Sequence, residues 1–590
     1  MSAVPVSVFP HPQGESVQPP STAPGSWPVD APGGRFHAEW DGTSPVTREG
    51  SLLFFFQFLE AGGRWEHFLQ DCPPAYTGNR GSGAKNVMGT VLLSVLSGHW
   101  RYAHINGVRG DGVNPGLPGM NGTVSGDAVR LAMYHIPETT GLDWLSSQIL
   151  DTIAPALGLP WILDIDVTVK PLYGRQEGAG IGYNPQKPGR PSHVYHSYFV
   201  ANLRISLGVE VRPGNEHAGA KGLPGLWQTP GKLPRHQWPT FIRGDCGYGQ
   251  EAILLESGER LVPYLFKLRH TAKVKDLVQR MMREGALRQD CGDGWQALES
   301  SLRLSGWSRE RRVIPVREAP SRAPITGTDP VLEMDPAVLA QPPGGKPRRA
   351  KKKRRGKDRQ SQLPLPNASG AGWDARATPW SGKIAVLVCA EMLEISAALS
   401  PLRSGSSLDA TAWPAILIPK QYRDRADAGP ERSGDSQPSF FENCWHNCFD
   451  ELKNQWGWGG YTPRKLAPCR IMANLIALFY NWWNLYLRFY DGEHHREAIR
   501  SRPLLMSGVG RQVQSGGQRT IKVSILHEKG DLVARAIRQI SGEIGLIRAI
   551  TERWSVEQRW TLLLTRLLRR WLGGKWLPNL PQEAGLLLSG

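Results

Sequence analysis

The sequence predicts an α/β protein whose sheet follows a helical N-terminal region. Residues 161–169 (WILDIDVTV) alternate with the period of a strand and are rich in β-branched side chains. Strand-like runs then interleave with helical ones, the pattern of layered α/β folds. From Ser51 to about residue 155 the spacing is helical instead, broken by Gly and Pro.

Residues 1–46 are rich in Pro, Ser and Gly without periodicity and read as a disordered leader. Residues 51–72 and 86–99 read as helices, and Ser125 is placed to cap another that carries Val129, Leu131, Ala132 and His135. Short helices joined by glycine turns in a basic chain fit a helix-turn-helix-like DNA reader or a plain bundle packed on the next domain. On the strand at 161–169, Asp164 and Asp166 are two apart, so both carboxylates project from one face. Their charge is offset by a divalent cation where the partner is a phosphate, or by water on an edge strand.

Residues 193–212 hold two strand-like runs before the turn Pro213-Gly214-Asn215. In PTFIRGDCGYGQEA (239–252) an apolar lead-in ends at Asp245, and a glycine-flanked turn enters a helix. Leu261–Lys267 reads as another strand. Acids at strand ends beside such turns are where open α/β sheets place their chemistry. From about 317 to 371 the composition turns to Pro, Ala and Gly around a basic block with Lys351, Lys352, Lys353, Arg354 and Arg355. Such a block is a solvated linker that can also grip phosphates. Residues 383–393 and 415–419 resume strand character, and helices dominate from about Cys444 onward.

Residues 471–490 are long enough to cross a bilayer, but Asn474, Asn481, Asn484 and Arg488 argue for a buried amphipathic helix. Residues 551–571 form a basic amphipathic pattern that suits packing, or a dimer or DNA contact. Trp456, Trp458, Trp482 and Trp483 read as core aromatics, with stacking on an unpaired base as the alternative. The chain carries 70 Lys and Arg against 53 Asp and Glu, a net +17. That surplus points to a polyanion, most simply nucleic acid, although an anionic membrane surface suits the charge equally. Seven cysteines without CxxC spacing suggest reduced thiols rather than a zinc site. With neither a signal peptide nor a membrane span recognised, the expectation is a soluble cytoplasmic protein.

Several blocks together resemble the DDE transposases of bacterial insertion sequences, in the branch around the IS4 and IS1380 groups. They are LDIDVTVKPLYGRQEGAGIGYNP (163–185), FIRGDCGYGQEA (241–252), NCFDELKNQWGWGGYT (447–462) with ALFYNWWN (477–484), and LLSVLSGHWRYAHINGVRGD (92–111). The resemblance runs, with gaps, from about residue 50 to 560. It implies an RNase H-like catalytic core: a mixed sheet flanked by helices and interrupted by a β-rich insertion. The implied organisation is a leader (1–46), a helical DNA-binding region (47–155) and the first part of the core (156–310). A basic linker within the insertion (311–380), the remaining insertion and core with C-terminal helices (381–570) and a tail (571–590) follow.

The resemblance also implies the reaction. Two Mg²⁺ ions, with Mn²⁺ as a substitute, would be held by Asp, Asp and Glu to activate water against a phosphodiester at the element's end. The freed 3′-hydroxyl would then attack target DNA. Asp166 takes the first ligand position, followed by Val-Thr, and Asp245 the second.

The third acid is where the chain departs from the family's Y-x2-R-x3-E-x6-K pattern. Tyr422 and Arg425 fit its start and Lys453 its end, but sequence with Gly, Pro and Ser intervenes. Position 446, seven before Lys453, is His rather than Glu. Glu442, one turn earlier on the same helical face, is the first choice for the third ligand and Glu431 the second. Arg425 and Lys453 would contact DNA phosphates or flank the metals, with Tyr422 beside them. Expected partners are double-stranded DNA, as terminal inverted repeats and target, and a second copy in the DNA complex. A bacterial, nucleoid-associated location accompanies that reading. The rivals are a metal-dependent nuclease that does not join ends, and a catalytically impaired DNA-binding remnant.

Overall fold

The computed structural model describes residues 27–39, 41–73, 83–184, 187–216, 224–283, 289–292, 295–318, 384–390, 447–492, 495–527 and 529–581. The strand expected at 161–169 forms as the long strand Ile162–Pro171, and the molecule is built outward from it. In chain order the described strands are β1 (Trp27–Ala31), β2 (Gly34–Ala38), β3 (Val46–Thr47), β4 (Ile162–Pro171), β5 (Ser192–Val200), β6 (Ile205–Pro213), β7 (Phe241–Gly244) and β8 (Tyr264–Lys267). They continue with β9 (Gln289–Gly292), β10 (Trp295–Ala297), β11 (Ser300–Leu302), β12 (Arg311–Glu318), β13 (Ile384–Cys389), β14 (Gly510–Ser515) and β15 (Gln518–Val523).

The main sheet runs β6-β5-β4-β7-β8-β13-β12-β10-β9, with β11 attached to β12. β4, β7 and β8 are parallel neighbours, while β5 and β6 return antiparallel beside β4. The β-rich stretch after Asp245 does not fold into a sheet of its own. β13 pairs antiparallel with β8 and carries β12 with it, so the main sheet continues through the strands downstream.

Helices α1 (Leu52–Ala61), α2 (Arg64–Gln70), α3 (Ala84–Leu96), α4 (Gly126–His135) and α5 (Glu138–Ile153) precede the sheet. Ser125 caps α4 as expected, its Oγ accepting the Ala128 N–H at 3.1 Å. Helices α6 (Pro224–Gly231), α7 (Glu251–Glu259) and α8 (Ala272–Arg283) connect its strands. After these come α9 (Asn447–Asn454), α10 (Leu466–Leu487), α11 (Ala498–Leu505), α12 (Gly530–Ile550) and α13 (Val556–Leu567). The N-terminal helices share one core with the C-terminal ones. Phe55 lies 5.5 Å from Trp483, Phe68 5.5 Å from Trp482 and Phe58 5.7 Å from Trp560, ring centre to ring centre. Trp456, Trp458, Trp482 and Trp483 are all buried.

Helix α10 corrects one expectation. It is buried on nearly every side rather than on one face. Its asparagines meet the edge strand β6 instead of water. Asn474 exchanges both hydrogen bonds with the backbone of Val209, Asn481 with that of Ser206, and Asn484 donates to the Arg204 carbonyl. Asn474 and Asn481 are two helical turns apart, so they fall on one line along the edge. The helix thereby satisfies backbone groups that an edge strand would otherwise leave open. No described helix is long and apolar enough to cross a membrane.

One further expectation is revised. Residues 27–38 of the supposed leader form an antiparallel hairpin, turned by residues 32–33 and held by Arg35 on Asp30 at 2.8 Å. Beyond residue 444 helices dominate as expected among the described residues, with β14 and β15 forming a hairpin between them. The basic pattern at 551–571 becomes a helix only from Val556, behind a Ser555–Gln558 capping box, and buries Trp560 and Leu562–Leu564 against the core. Packing is what that segment does here.

Candidate active site

The parallel pairing of β4 and β7 decides where the acids go. Register sets Asp164 opposite Arg243 and Ile165 opposite Gly244. One residue beyond the last pair come Asp166 and, just past the end of β7, Asp245, and both carboxylates bear on the Tyr248 hydroxyl. The pairing of β7 with β8 puts Gly244 opposite Phe266, and the next residue of β8, Lys267, feels the charge of Asp245.

Asp164 and Arg243 form a closed pair. The guanidinium approaches the carboxylate at 3.2 Å and 3.4 Å, with the side chains only 5% and 17% exposed for Arg243 and Asp164. Of the two acids on β4, Asp164 therefore has its charge answered within the protein.

Asp166 and Asp245 are each oriented by the backbone. Asp166 Oδ1 accepts the Val167 N–H at 2.7 Å. Asp245 Oδ1 accepts the Gly247 N–H at 2.8 Å, the turn that short acid side chains favour. The chain then reaches α7 through Gln250, whose side chain donates to the Gly247 carbonyl at 2.8 Å. Gly244 must be glycine for this approach: a Cβ there would sit 2.8 Å from Ile165 Cγ1 and 2.9 Å from Tyr248 Cδ2.

Tyr248 lies beneath the acids and is fully buried. Burial, followed by the charges of Asp245, Asp166 and Asp164, pushes its hydroxyl well above the usual phenol range. One protonated hydroxyl thus feels all three carboxylates. Its oxygen lies 3.4 Å from His196 Nδ1. Burial, then Arg212, pulls His196 down to about 4 against the opposing pull of Asp166, so the ring is neutral near pH 7. Burial and then Asp245 raise the Cys246 thiol, which removes it as a nucleophile. Tyr248 lies within the block 241–252, in the turn after β7, but neither it nor His196 on β5 is among the residues singled out from the sequence.

Two other acids near the motif blocks are occupied. Glu251 binds Arg311 at 2.9 Å and the Ser308 N–H at 3.0 Å, tying α7 to β12. Glu451 accepts from His495 at 2.7 Å, Trp456 Nε1 at 3.1 Å and the Ala498 N–H at 2.9 Å. Burial alone would raise it, but His495 and these donors hold it below the usual carboxylate range. Among the described residues no three His, Cys, Asp or Glu side chains form a group that could hold a metal ion. Glu442, Glu431, Tyr422, Arg425 and the basic block with Lys351, Lys352, Lys353, Arg354 and Arg355 lie outside the described residues. Lys453 lies in the last turn of α9, where its carbonyl accepts the Gly459 N–H at 3.0 Å.

The remaining motif blocks meet beyond the far end of β4. There Trp100, Tyr102, Tyr173 and Tyr461 line a pocket of about 380 Å³. The Tyr461 N–H donates to the Trp100 carbonyl at 2.8 Å, and buried Lys170 of β4 reaches the Gly460 carbonyl.

Residues 138–323 match the family model described as transposase DDE domain group 1. The match spans just under a third of the chain and includes both Asp166 and Asp245. It supports a DDE transposase, a class of DNA-cleaving and strand-transferring enzymes that use divalent metal ions. Comparison with curated proteins gives no match. Among solved structures, the cryo-EM structure of a piggyBac transposase synaptic complex with hairpin DNA aligns over 89% of this chain and 88% of that one. Identity there is 9% and the TM-score 0.32, too faint a likeness to carry an argument.

Proposed function

We propose that this chain is a DNA transposase of the insertion-sequence type, near the IS4 and IS1380 groups, cutting element ends and joining them to target DNA. The observation that supports the reading is that Asp166 and Asp245 each come one residue after the last register pair of two neighbouring parallel strands, inside the matched region. The strand order β6-β5-β4-β7-β8, with three parallel strands and an antiparallel pair, supports an RNase H-like core.

Two carboxylates on adjacent strands are the oxygen donors that a hard divalent cation takes, so the residues present suit Mg²⁺ or Mn²⁺. Asp166 and Asp245 would hold the ions, with Glu442 as the third ligand and Glu431 as the second choice. Bound there, such ions stabilise charge on the attacking and leaving oxygens of a phosphodiester. The chain's own contribution is orientation. Backbone N–H groups aim both carboxylates, the Arg243 pair keeps Asp164 out of competition, and Tyr248 supplies a neutral floor. Arg425, Lys453, Tyr422 and the basic block would bear on DNA phosphates, with two copies of the chain in the DNA complex.

The test uses the purified full chain, Mg²⁺ or Mn²⁺, and a plasmid carrying the DNA that flanks the coding sequence. Expected are strand breaks at the element's ends and their joining to target, both lost in Asp166→Asn and in Asp245→Asn. Breaks without joining assign a nuclease. Binding without any breaks assigns a remnant, consistent with His at position 446. Breaks that persist in both variants refute the acid pair.

A further inference from the structure

Among the described residues, the hairpin β14–β15 (residues 510–523) is an exposed ribbon that carries positive charge without acids. No Asp or Glu occurs between Glu497 and Glu528, an interval that holds Arg500, Arg502, Arg511, Arg519 and Lys522. The two strands pair from Gly510 opposite Val523 to Ser515 opposite Gln518. Gly516 and Gly517 close the turn at φ of +57° and +80°, the left-handed values a tight two-residue hairpin turn requires. β3 pairs with Gly510 and Arg511 and the Gln512 N–H donates to the Pro45 carbonyl at 2.9 Å, so residues 513–520 bond along the ladder only to one another.

A two-stranded hairpin is marginal by itself in water and normally buries one face. This one does not. Gln514, Ser515, Gln518, Arg519 and Thr520 are exposed, and on neither face is any side chain of residues 511–523 buried. Arg511 and Lys522 stand directly opposite each other, a like-charge pairing that costs stability. Asp41 answers Arg511 at 3.1 Å, whereas among the described residues no acid pairs with Arg519 or Lys522. Cations left unanswered on a projecting ribbon call for an anionic partner. Six residues per strand give a length of about 20 Å. Two strands fit the major groove of B-DNA, and Gln, Arg, Ser and Thr are the side chains that bond base edges and phosphates there.

We propose that β14–β15 is a docking ribbon for double-stranded DNA, lying in a groove with Arg519 and Gln514 on one face and Lys522 and Gln518 on the other as its contacts to phosphates and base edges. It concerns duplex binding away from the acid pair and holds whether or not that pair is catalytic.

The test measures binding of the full chain to a fluorescent duplex of about 30 base pairs, in EDTA, over a range of salt concentration. In Arg519→Ala/Lys522→Ala the affinity should fall at least about tenfold, and the slope of log K against log salt should shrink by about 2. Gln514→Glu/Gln518→Glu, which adds acids to a solvent-exposed tip, should weaken binding as much with an unchanged melting temperature. Parent-like affinity and slope in both variants overturn the proposal. So does a loss confined to binding of phosphatidylserine vesicles. Because no divalent ion is present, the result is separate from the cleavage test.

Discussion

Arg243→Met asks which acid of β4 belongs to the site. The substitution removes the partner of Asp164 and leaves the carboxylate on a strand face where the guanidinium is only 5% exposed. Breaking a buried ion pair from one side costs about 3–5 kcal/mol. Asp164 keeps partial contact with water, at 17% exposure, and can take up a proton. The lower end, about 3 kcal/mol, is therefore expected. Asp164→Leu/Arg243→Met should recover most of that loss, since replacing both partners of such a pair by apolar groups is often close to neutral. Urea denaturation followed by tryptophan fluorescence measures both. Plasmid cleavage then separates roles: the double variant should still cut, while Asp166→Asn should not. The reasoning fails if the single variant lies within about 1 kcal/mol of the parent. It fails equally if the double variant is no more stable than the single one, or folds and has lost cleavage, for then Asp164 belongs to the chemistry.

Burial holds His196 at about 4 in the folded protein, against an ordinary value of 6.5. The unfolded chain takes up that proton more readily, so the contribution is fully present above pH 6.5 and is lost as pH falls toward 4. It amounts to about 3 kcal/mol, and His196→Asn should flatten the fall in melting temperature across that window; parallel curves for parent and variant would refute it. Asn481→Ala leaves the Ser206 N–H and carbonyl without their partners, held now at 2.8 Å and 2.7 Å. A loss of about 3 kcal/mol is expected, together with faster hydrogen exchange at the Ser206 amide. Unchanged exchange there would mean that β6 does not need the helix.

What could be read from the sequence was local. β4, β5 and β6 announce themselves through alternation and β-branched content, and Asp245 through its place at the end of an apolar run before a glycine turn. The parts that were misread depend on partners far along the chain. The asparagines of α10 look like a polar face until β6 is laid against them. β12 and β13 look like a separate insertion until β13 bonds to β8. The ribbon β14–β15 has a Gly-Gly turn between alternating residues, yet neither of its faces is apolar, so the usual strand signal is missing. Tyr248 and His196 matter only because β5, β4 and the turn after β7 converge, which no single stretch encodes.

The acid pair has a cost of its own. On β4 and β7 Asp164 stands opposite Arg243, and Asp166 and Asp245 each come one residue after the last pair, Ile165 with Gly244. The Asp164–Arg243 row is attractive, whereas two acids brought close to each other repel. Two carboxylates at strand spacing, in the partly wet setting of a strand end, repel by about 3 kcal/mol. Lys267, on β8, offsets part of this for Asp245, whose charge opposes the effect of burial on the lysine. A row that keeps local consistency beside one that strains it is where function is expected to sit. The same inference sets a test of sign: Asp245→Asn should make the metal-free protein more stable while it abolishes cleavage. A metal-free melting temperature that falls with cleavage would mean Asp245 holds the turn rather than the ion.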